Sequence, residues 1–167
     1  ASPPNKYAKQ IVTAVKSAAN SIYSVLSASK NPVFWIGKEI ETYHQQPNFT
    51  GLQETVKAPF ATSLLGKAVV PENNNWFIGM HDGVFTSDYT KQFLNGCDCL
   101  IALGVWNTDL NVFGVPTDAP GLIATVQAAR NMVKIGDDLY VQVSLEHLIE
   151  ELLNLIEQNG YTPVWQE

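Results

Sequence analysis

Apolar residues fall along this chain in two rhythms. Tyr7, Ile11, Val15, Ala18, Ile22 and Val25 recur at three- and four-residue steps, the spacing that lines one face of a helix. Ser2 and Pro3 supply a hydroxyl cap and a proline for the first turn, so a long amphipathic helix is predicted from there to about Ser29. Asn31-Pro32 breaks it, because proline lacks an amide proton and pushes the preceding residue toward extended geometry. Near the end, Leu145, Leu148, Ile149, Leu152, Leu153 and Ile156 repeat the helical rhythm between a Ser144 cap and Gly160. The second rhythm is unbroken. Residues 33–36 and 99–103 are apolar without alternation, as expected of strands that have lost water on both faces in a parallel sheet under helices.

Weaker signals fill the gaps. Residues 58–62, 121–126, 132–135 and 140–143 read as further strands, the last two around a turn at Gly136, Asp137 and Asp138. Trp76 to Gly79 is apolar but too short to assign. Residues 38–46 read as a helix interrupted at 47–51 and resumed at 52–56, and 88–95 as another. Strands alternating with helices predict one α/β domain over residues 1–167, three layers deep, with a mostly parallel, Rossmann-like sheet of about six strands. A leading helix occupies residues 1–30 and a linker-like tail residues 160–167. Ligands of open α/β sheets lie beyond the carboxyl ends of the strands, so the polar loop after residue 103, with Asn107, Thr108, Asp109 and Asn111, is the first place to look for a site.

Composition narrows the function classes. The chain has 167 residues, 46% of them hydrophobic and 16% charged, with a formal net charge of −6. That balance excludes nucleic acid as the expected partner, since phosphate binding wants clustered Lys and Arg. A surface so short of charge suits one partly covered by a partner. No apolar run reaches membrane-spanning length and no signal-peptide pattern opens the chain, so a cytoplasmic protein is expected. Cys97 and Cys99 stand one residue apart. On a strand they would share a face yet lie too far apart for an unstrained disulfide, which leaves buried thiols of a reducing compartment. Asn48-Phe49-Thr50 matches the glycosylation sequon without a secretory context. His81-Asp82 could be a metal pair or a base with its orienting carboxylate, but neither His44 nor His147 falls at ligand spacing, so His81 is expected to be a loop residue without a special role. Asp109 and Asn111 make a thin ligand set for a hard cation.

Three segments carry a resemblance. The first is Pro59-Phe60-Ala61-Thr62-Ser63-Leu64-Leu65-Gly66-Lys67 with Pro71-Glu72 and Phe77-Ile78-Gly79-Met80-His81-Asp82-Gly83. The second is Asp98-Cys99-Leu100-Ile101-Ala102-Leu103-Gly104 with Asp109-Leu110-Asn111, and the third is Val133-Lys134-Ile135-Gly136-Asp137-Asp138-Leu139-Tyr140. In this order and spacing they resemble the central domain of thiamine-diphosphate-dependent enzymes, on the side of the pyruvate and indolepyruvate decarboxylases. The chain departs from that pattern at Ala68, at the asparagines before Trp76 and at Val112-Phe113.

The resemblance implies a non-catalytic domain of a larger lyase, with structural and interdomain roles. Thiamine diphosphate and magnesium would be held by flanking domains, one supplying an activating glutamate and the other a Gly-Asp-Gly…Asn-Asn motif. No Gly-Asp-Gly occurs here, so no catalytic residue, metal site or cofactor is assigned to this chain. The full-length protein is expected to be a homo-oligomer, dimer or tetramer. Related central domains bind FAD or ADP, and by analogy Gly37, Lys38, Thr62, Gly104 and Asp109 would line a vestigial nucleotide cleft. Only one glycine stands in the turn after residues 33–36, and Glu39 and Asp109 would repel a phosphate, so an empty cleft is expected. Two rivals are a stand-alone FAD-, ADP- or NAD-binding module, and a regulatory domain that takes a 2-oxo acid through Cys97, Cys99 or His81 if these are exposed.

Overall fold

A computed structural model describes residues 6–106, 124–129 and 131–165. Helix α1 (Lys6–Ala28) leads into β1 (Pro32–Ile36), and the short α2 (Glu39–Thr42) and α3 (Gln46–Val56) lead to β2 (Phe60–Thr62). A 3₁₀ turn at Leu64–Gly66, strand β3 (Phe77–Met80) and a second 3₁₀ turn at Gly83–Phe85 precede α4 (Asp88–Gly96) and β4 (Cys99–Leu103). Then come β5 (Ala124–Ala129), β6 (Met132–Ile135), β7 (Asp138–Val141) and α5 (Leu145–Asn159).

The strands form one seven-stranded sheet in the order β3-β2-β1-β4-β5-β6-β7. Five run parallel and the last two return antiparallel. The Rossmann-like α/β architecture is the expected one, with seven strands where about six were predicted. The additional strand is β3, whose pattern the sequence hides: its pairing with β2 shifts between Phe60 and Ala61, and Gly79 sits at φ +110°, so no two-residue alternation survives. The predicted strand at 121–126 becomes Ala124–Ala129, with residues 121–123 outside those described. The strand predicted at 140–143 begins instead at Asp138, because a two-residue turn at Gly136 (φ +56°) and Asp137 suffices to reverse the chain.

The unbroken runs behave as their composition requires: every residue of β1 and of β4 is buried. Alternate side chains feed two cores. Phe34, Ile36, Phe60, Cys99, Ile101 and Leu103 pack under α1, α3 and α5, against Ile22, Leu26, Leu52 and Leu148. Val33, Trp35, Ala61, Leu100 and Ala102 face the other way, toward Leu94 of α4 and Cys97. Pro47 does not interrupt a helix as expected. It falls in the first turn of α3, where a missing amide proton costs nothing, so Asn48 of the sequon is helical.

Both ends of the fold are tied down at the amino edge of the sheet. Asp98, just before β4, accepts hydrogen bonds from the Ser29 hydroxyl and from the amides of Lys30 (2.8 Å) and Asn31 (2.9 Å). Burial alone would raise its carboxyl, but these donors outweigh it and hold the pKa below the ordinary value. The stretch beyond α5 is not a loose linker. Tyr23 donates to the Gly160 carbonyl (2.7 Å), the Trp165 indole donates to the Pro32 carbonyl (3.0 Å), and the Trp165 ring packs against Phe93. No described helix is long and apolar enough to cross a membrane.

Candidate functional site

The chain leaves β1 toward β2 on one side and β4 toward β5 on the other, so the point between them is where an α/β sheet opens its ligand crevice. Here the backbone closes it. Gly37 ends β1, and a Cβ there would stand 2.2 Å from the Gly104 carbonyl oxygen and 2.6 Å from the Val105 Cα. From the other side Gly66 presses in, its would-be Cβ 2.9 Å from the Gly37 Cα and 2.8 Å from the Ile36 carbonyl oxygen. Three glycines, one after each of β1, β2 and β4, thus let three chain segments meet with no side chain between them. Main-chain bonds seal the contact: Gly37 N–H to Leu103 O (3.0 Å), Glu39 N–H to Gly104 O (3.2 Å) and Ser63 N–H to Ile36 O (2.8 Å).

The residues expected to line this cleft scatter. Gly37 and Gly104 do meet. Lys38, the residue just before α2, is exposed and pairs with Glu41. Thr62 is fully buried, and its hydroxyl has no hydrogen-bond partner among the described residues. Asp109 lies outside the described residues, as do Asn107, Thr108 and Asn111. In their place stand Glu39, expected only as a charge that repels phosphate, and Trp106, to which no role at the crevice was assigned. Glu39 is only 2% exposed, and its Oε1 accepts the Trp106 indole N–H at 2.9 Å. Each lies two residues after a glycine that ends a central strand, Gly37 or Gly104, and that symmetry was the available signal.

His81, expected to be a loop residue without a special role, does lie in the loop just after β3, but it is buried there, only 2% exposed. Its Nδ1 lies 2.8 Å from the Thr86 hydroxyl, which also accepts the Asp82 amide (3.1 Å), and its ring sits 4.7 Å from that of Trp35. Burial pushes the His81 pKa down to about 4, so the imidazole is neutral and works as packing and as one member of a turn. β3 ends at Met80, so His81 follows it directly into a buried turn, which sequence spacing alone did not reveal.

Cys97 and Cys99 do not share a face. Cys97 caps α4 before the strand begins and packs with Leu94 and Leu100, while Cys99 points into the opposite core. Both are free and buried, and burial raises their thiols to about 11 and about 12. Neither is placed or ionised to add to a carbonyl.

Nowhere among the described residues do three His, Cys, Asp or Glu side chains converge as metal ligands. Among the described residues of the crevice, the buried Glu39 carboxylate accepts the Trp106 indole proton. An open groove of about 500 Å³, walled by Pro59, Trp76, Tyr89, Phe93 and Trp165, lies at the amino ends of β2 and β3, far from the crevice.

Comparison with known proteins agrees with this arrangement. A family model described as the central domain of thiamine pyrophosphate enzymes matches residues 19–156. The pyruvate decarboxylase of Candida albicans is 22% identical over 86% of this chain and 26% of its own length. Human 2-hydroxyacyl-CoA lyase 1 is 27% identical over 93% of this chain and 26% of its own. Among solved structures, benzoylformate decarboxylase from Polynucleobacter necessarius superposes with a TM-score of 0.58 at 22% identity, over 84% of this chain and 26% of that one. The chain thus spans about a quarter of the length of these relatives. With the model covering most of the chain and the strand-end glycines of the matched motifs in contact, this chain belongs to the family of thiamine pyrophosphate enzyme central domains.

Proposed function

We propose that residues 1–167 form the central, non-catalytic domain of a cytoplasmic thiamine-diphosphate-dependent 2-oxo acid decarboxylase of the pyruvate or indolepyruvate type. In that role it spaces and orients two flanking cofactor-binding domains and contributes to contacts within a dimer or tetramer, while thiamine diphosphate and magnesium are held elsewhere in the parent protein. The observation that carries this reading is the sealed meeting of Gly37, Gly66 and Gly104. A nucleotide module needs its strand-end turn open, so that backbone amides can face a pyrophosphate. Here the amides of Gly37, Glu39 and Ile40 are spent on the protein's own carbonyls. Burial of Cys97, Cys99 and His81 likewise speaks against covalent or acid–base capture of a 2-oxo acid regulator.

The test compares the chain alone with the complete reading frame that contains it. With thiamine diphosphate, magnesium and pyruvate or indolepyruvate, the chain alone releases no carbon dioxide and the complete protein does. Turnover by the highly purified chain alone, or a complete protein without thiamine-dependent activity, refutes the proposal. A flavin-coloured preparation would favour the rival nucleotide-binding module.

A further inference from the structure

Along the amino ends of β1, β2 and β3 the surface is a long trough rather than a single hollow. The central hollow of about 500 Å³ shares Asn75 and Trp76 with one of about 460 Å³ beside α3. It shares Phe93 and Trp165 with another of about 380 Å³ beside Asn31 and Gly96. Connected hollows of this size suit an extended chain better than one compact small molecule. The wall is aromatic and fixed. Tyr89 meets Phe93 edge to face with ring centroids 5.2 Å apart, Phe93 meets Trp165 at 5.8 Å, and the Trp165 indole is held by the Pro32 carbonyl at 3.0 Å. Tyr89 is nevertheless 59% exposed. No charged side chain is among the described residues of the central hollow, and Glu54 and Lys57, of opposite sign, flank only the α3 end.

One buried group of the trough lacks a partner, and its polarity follows from its neighbours. The Trp76 backbone N–H can only donate, so the Asn74 atom 2.8 Å from it is the amide oxygen. The Asn74 amide nitrogen therefore faces Gln53 at 3.3 Å, and the Gln53 atom it meets is the oxygen. What remains is Gln53 Nε2, in a side chain only 2% exposed, without a hydrogen-bond partner among the described residues. It is a donor, and a buried donor left unpaired is costly. The indole N–H of Trp76 and the hydroxyl of Tyr89 add donors from the central hollow.

We propose that the trough is a docking groove for an uncharged, proline-rich segment of a partner protein, bound in the polyproline II conformation. The match is one of electrostatic complementarity. Proline has no N–H, so such a segment presents carbonyl acceptors without competing donors, and the trough presents donors. Its rings pack on aromatic walls, and its preformed shape leaves little freedom to be lost on binding. A charged peptide finds no counter-charge at the centre. A carbohydrate, whose hydroxyls donate as well as accept, matches a donor-rich groove less well. This role goes beyond that of a spacer, and it depends on the amino edge of the sheet, not on the sealed crevice.

Calorimetric titration of the 167-residue chain with a capped decaproline peptide tests it, with a capped Gly-Ser peptide of equal length and cellohexaose as comparisons. Decaproline is expected to bind with a Kd of about 100 μM or tighter, and the other two not to bind up to about 1 mM. In nitrogen-15 NMR the Trp76 indole proton should shift on adding decaproline, while that of Trp106, at the carboxyl end of the sheet, stays in place. Tyr89→Ala removes an exposed ring and should weaken decaproline binding about tenfold or more. Gln53→Glu keeps the shape but sets an acceptor where the free donor stood, and should weaken it by a similar factor. Circular dichroism reports folding, and if Gln53→Glu does not fold, Tyr89→Ala decides the matter. No decaproline binding up to about 1 mM overturns the proposal, as does binding that the folded variants leave unchanged. Equal binding of the Gly-Ser peptide would mean an unselective surface, and binding of cellohexaose alone a carbohydrate site. Either result overturns it too.

Discussion

Asp98→Asn should cost this domain far more than an average surface substitution. The carboxylate gathers the Ser29 hydroxyl and the amides of Lys30 and Asn31, and so fixes the joint at which α1 hands the chain to the central strand β1. Hydrogen bonds to a charged acceptor contribute ~1.5–3 kcal/mol each. Asparagine keeps one acceptor oxygen, and water can reach the two amides, so the net loss is placed at about 2–3 kcal/mol. For a chain of this size that is a fall in Tm of about 4–10 °C. Urea denaturation at neutral pH gives the difference directly, and Ser29→Ala, which removes one of the three donors, should cost about 1 kcal/mol. The effect has a pH signature. Because the folded Asp98 carboxyl is held below its ordinary value, its contribution is fully present above the unfolded pKa of about 3.9. It is lost as pH falls through the lower folded value. The gap between wild type and Asp98→Asn should therefore shrink below about pH 4. A difference under ~0.5 kcal/mol at neutral pH, or a gap that stays constant down to about pH 2, would refute the reasoning.

Gly37→Ala would put a methyl group 2.2 Å from a carbonyl oxygen of the backbone, where nothing flexible can yield. A loss of about 3 kcal/mol or more is expected in chemical denaturation, and a neutral result would mean that the strand ends do not touch. The thiols of Cys97 and Cys99, raised to about 11 and about 12 by burial, should ignore Ellman's reagent at about pH 8 in the native state and react once urea unfolds the chain. Ser17 and Ser24 are exposed on α1. Ser17→Glu with Ser24→Glu should leave the melting temperature of this chain within about 1 °C, while size-exclusion chromatography of the complete protein shows a weakened oligomer if that helix face is covered by a neighbour.

How much of this was legible beforehand follows from what each element depends on. The runs at Val33 and Leu100 declared buried parallel strands because only a doubly covered strand tolerates five buried residues in a row. The Ser144 cap, which accepts the His147 amide, marked the last helix for an equally local reason. Strand β3 was not legible, since its bulge and the left-handed Gly79 exist only through its pairing with β2. The split of Cys97 and Cys99 between two cores turned on one residue in the start of β4, the kind of boundary that local pattern does not define. At the crevice, Gly37 and Gly104 could be named from strand ends, but their contact could not. Glu39 was read as a charge that repels ligands, and its burial under Trp106 depends on a meeting between segments far apart in sequence.

The sheet order also carries a consequence for how this chain acquires its shape. β5, β6 and β7 are sequential and antiparallel, joined at Asn131 and at the Gly136–Asp137 turn, so Val126 finds Ile135 by closing a short loop. Phe34, in contrast, must find Ile101 across α2, α3, β2, β3 and α4. Loop-closure entropy grows with that separation and is spent before the contact returns anything. The meander is thus free to form and re-form early, while the parallel centre forms late and sets the folding rate. Until β1 and β4 pair, their unbroken apolar runs are the segments most exposed to wrong partners, so the interval before that pairing is when the nascent chain is most prone to aggregate.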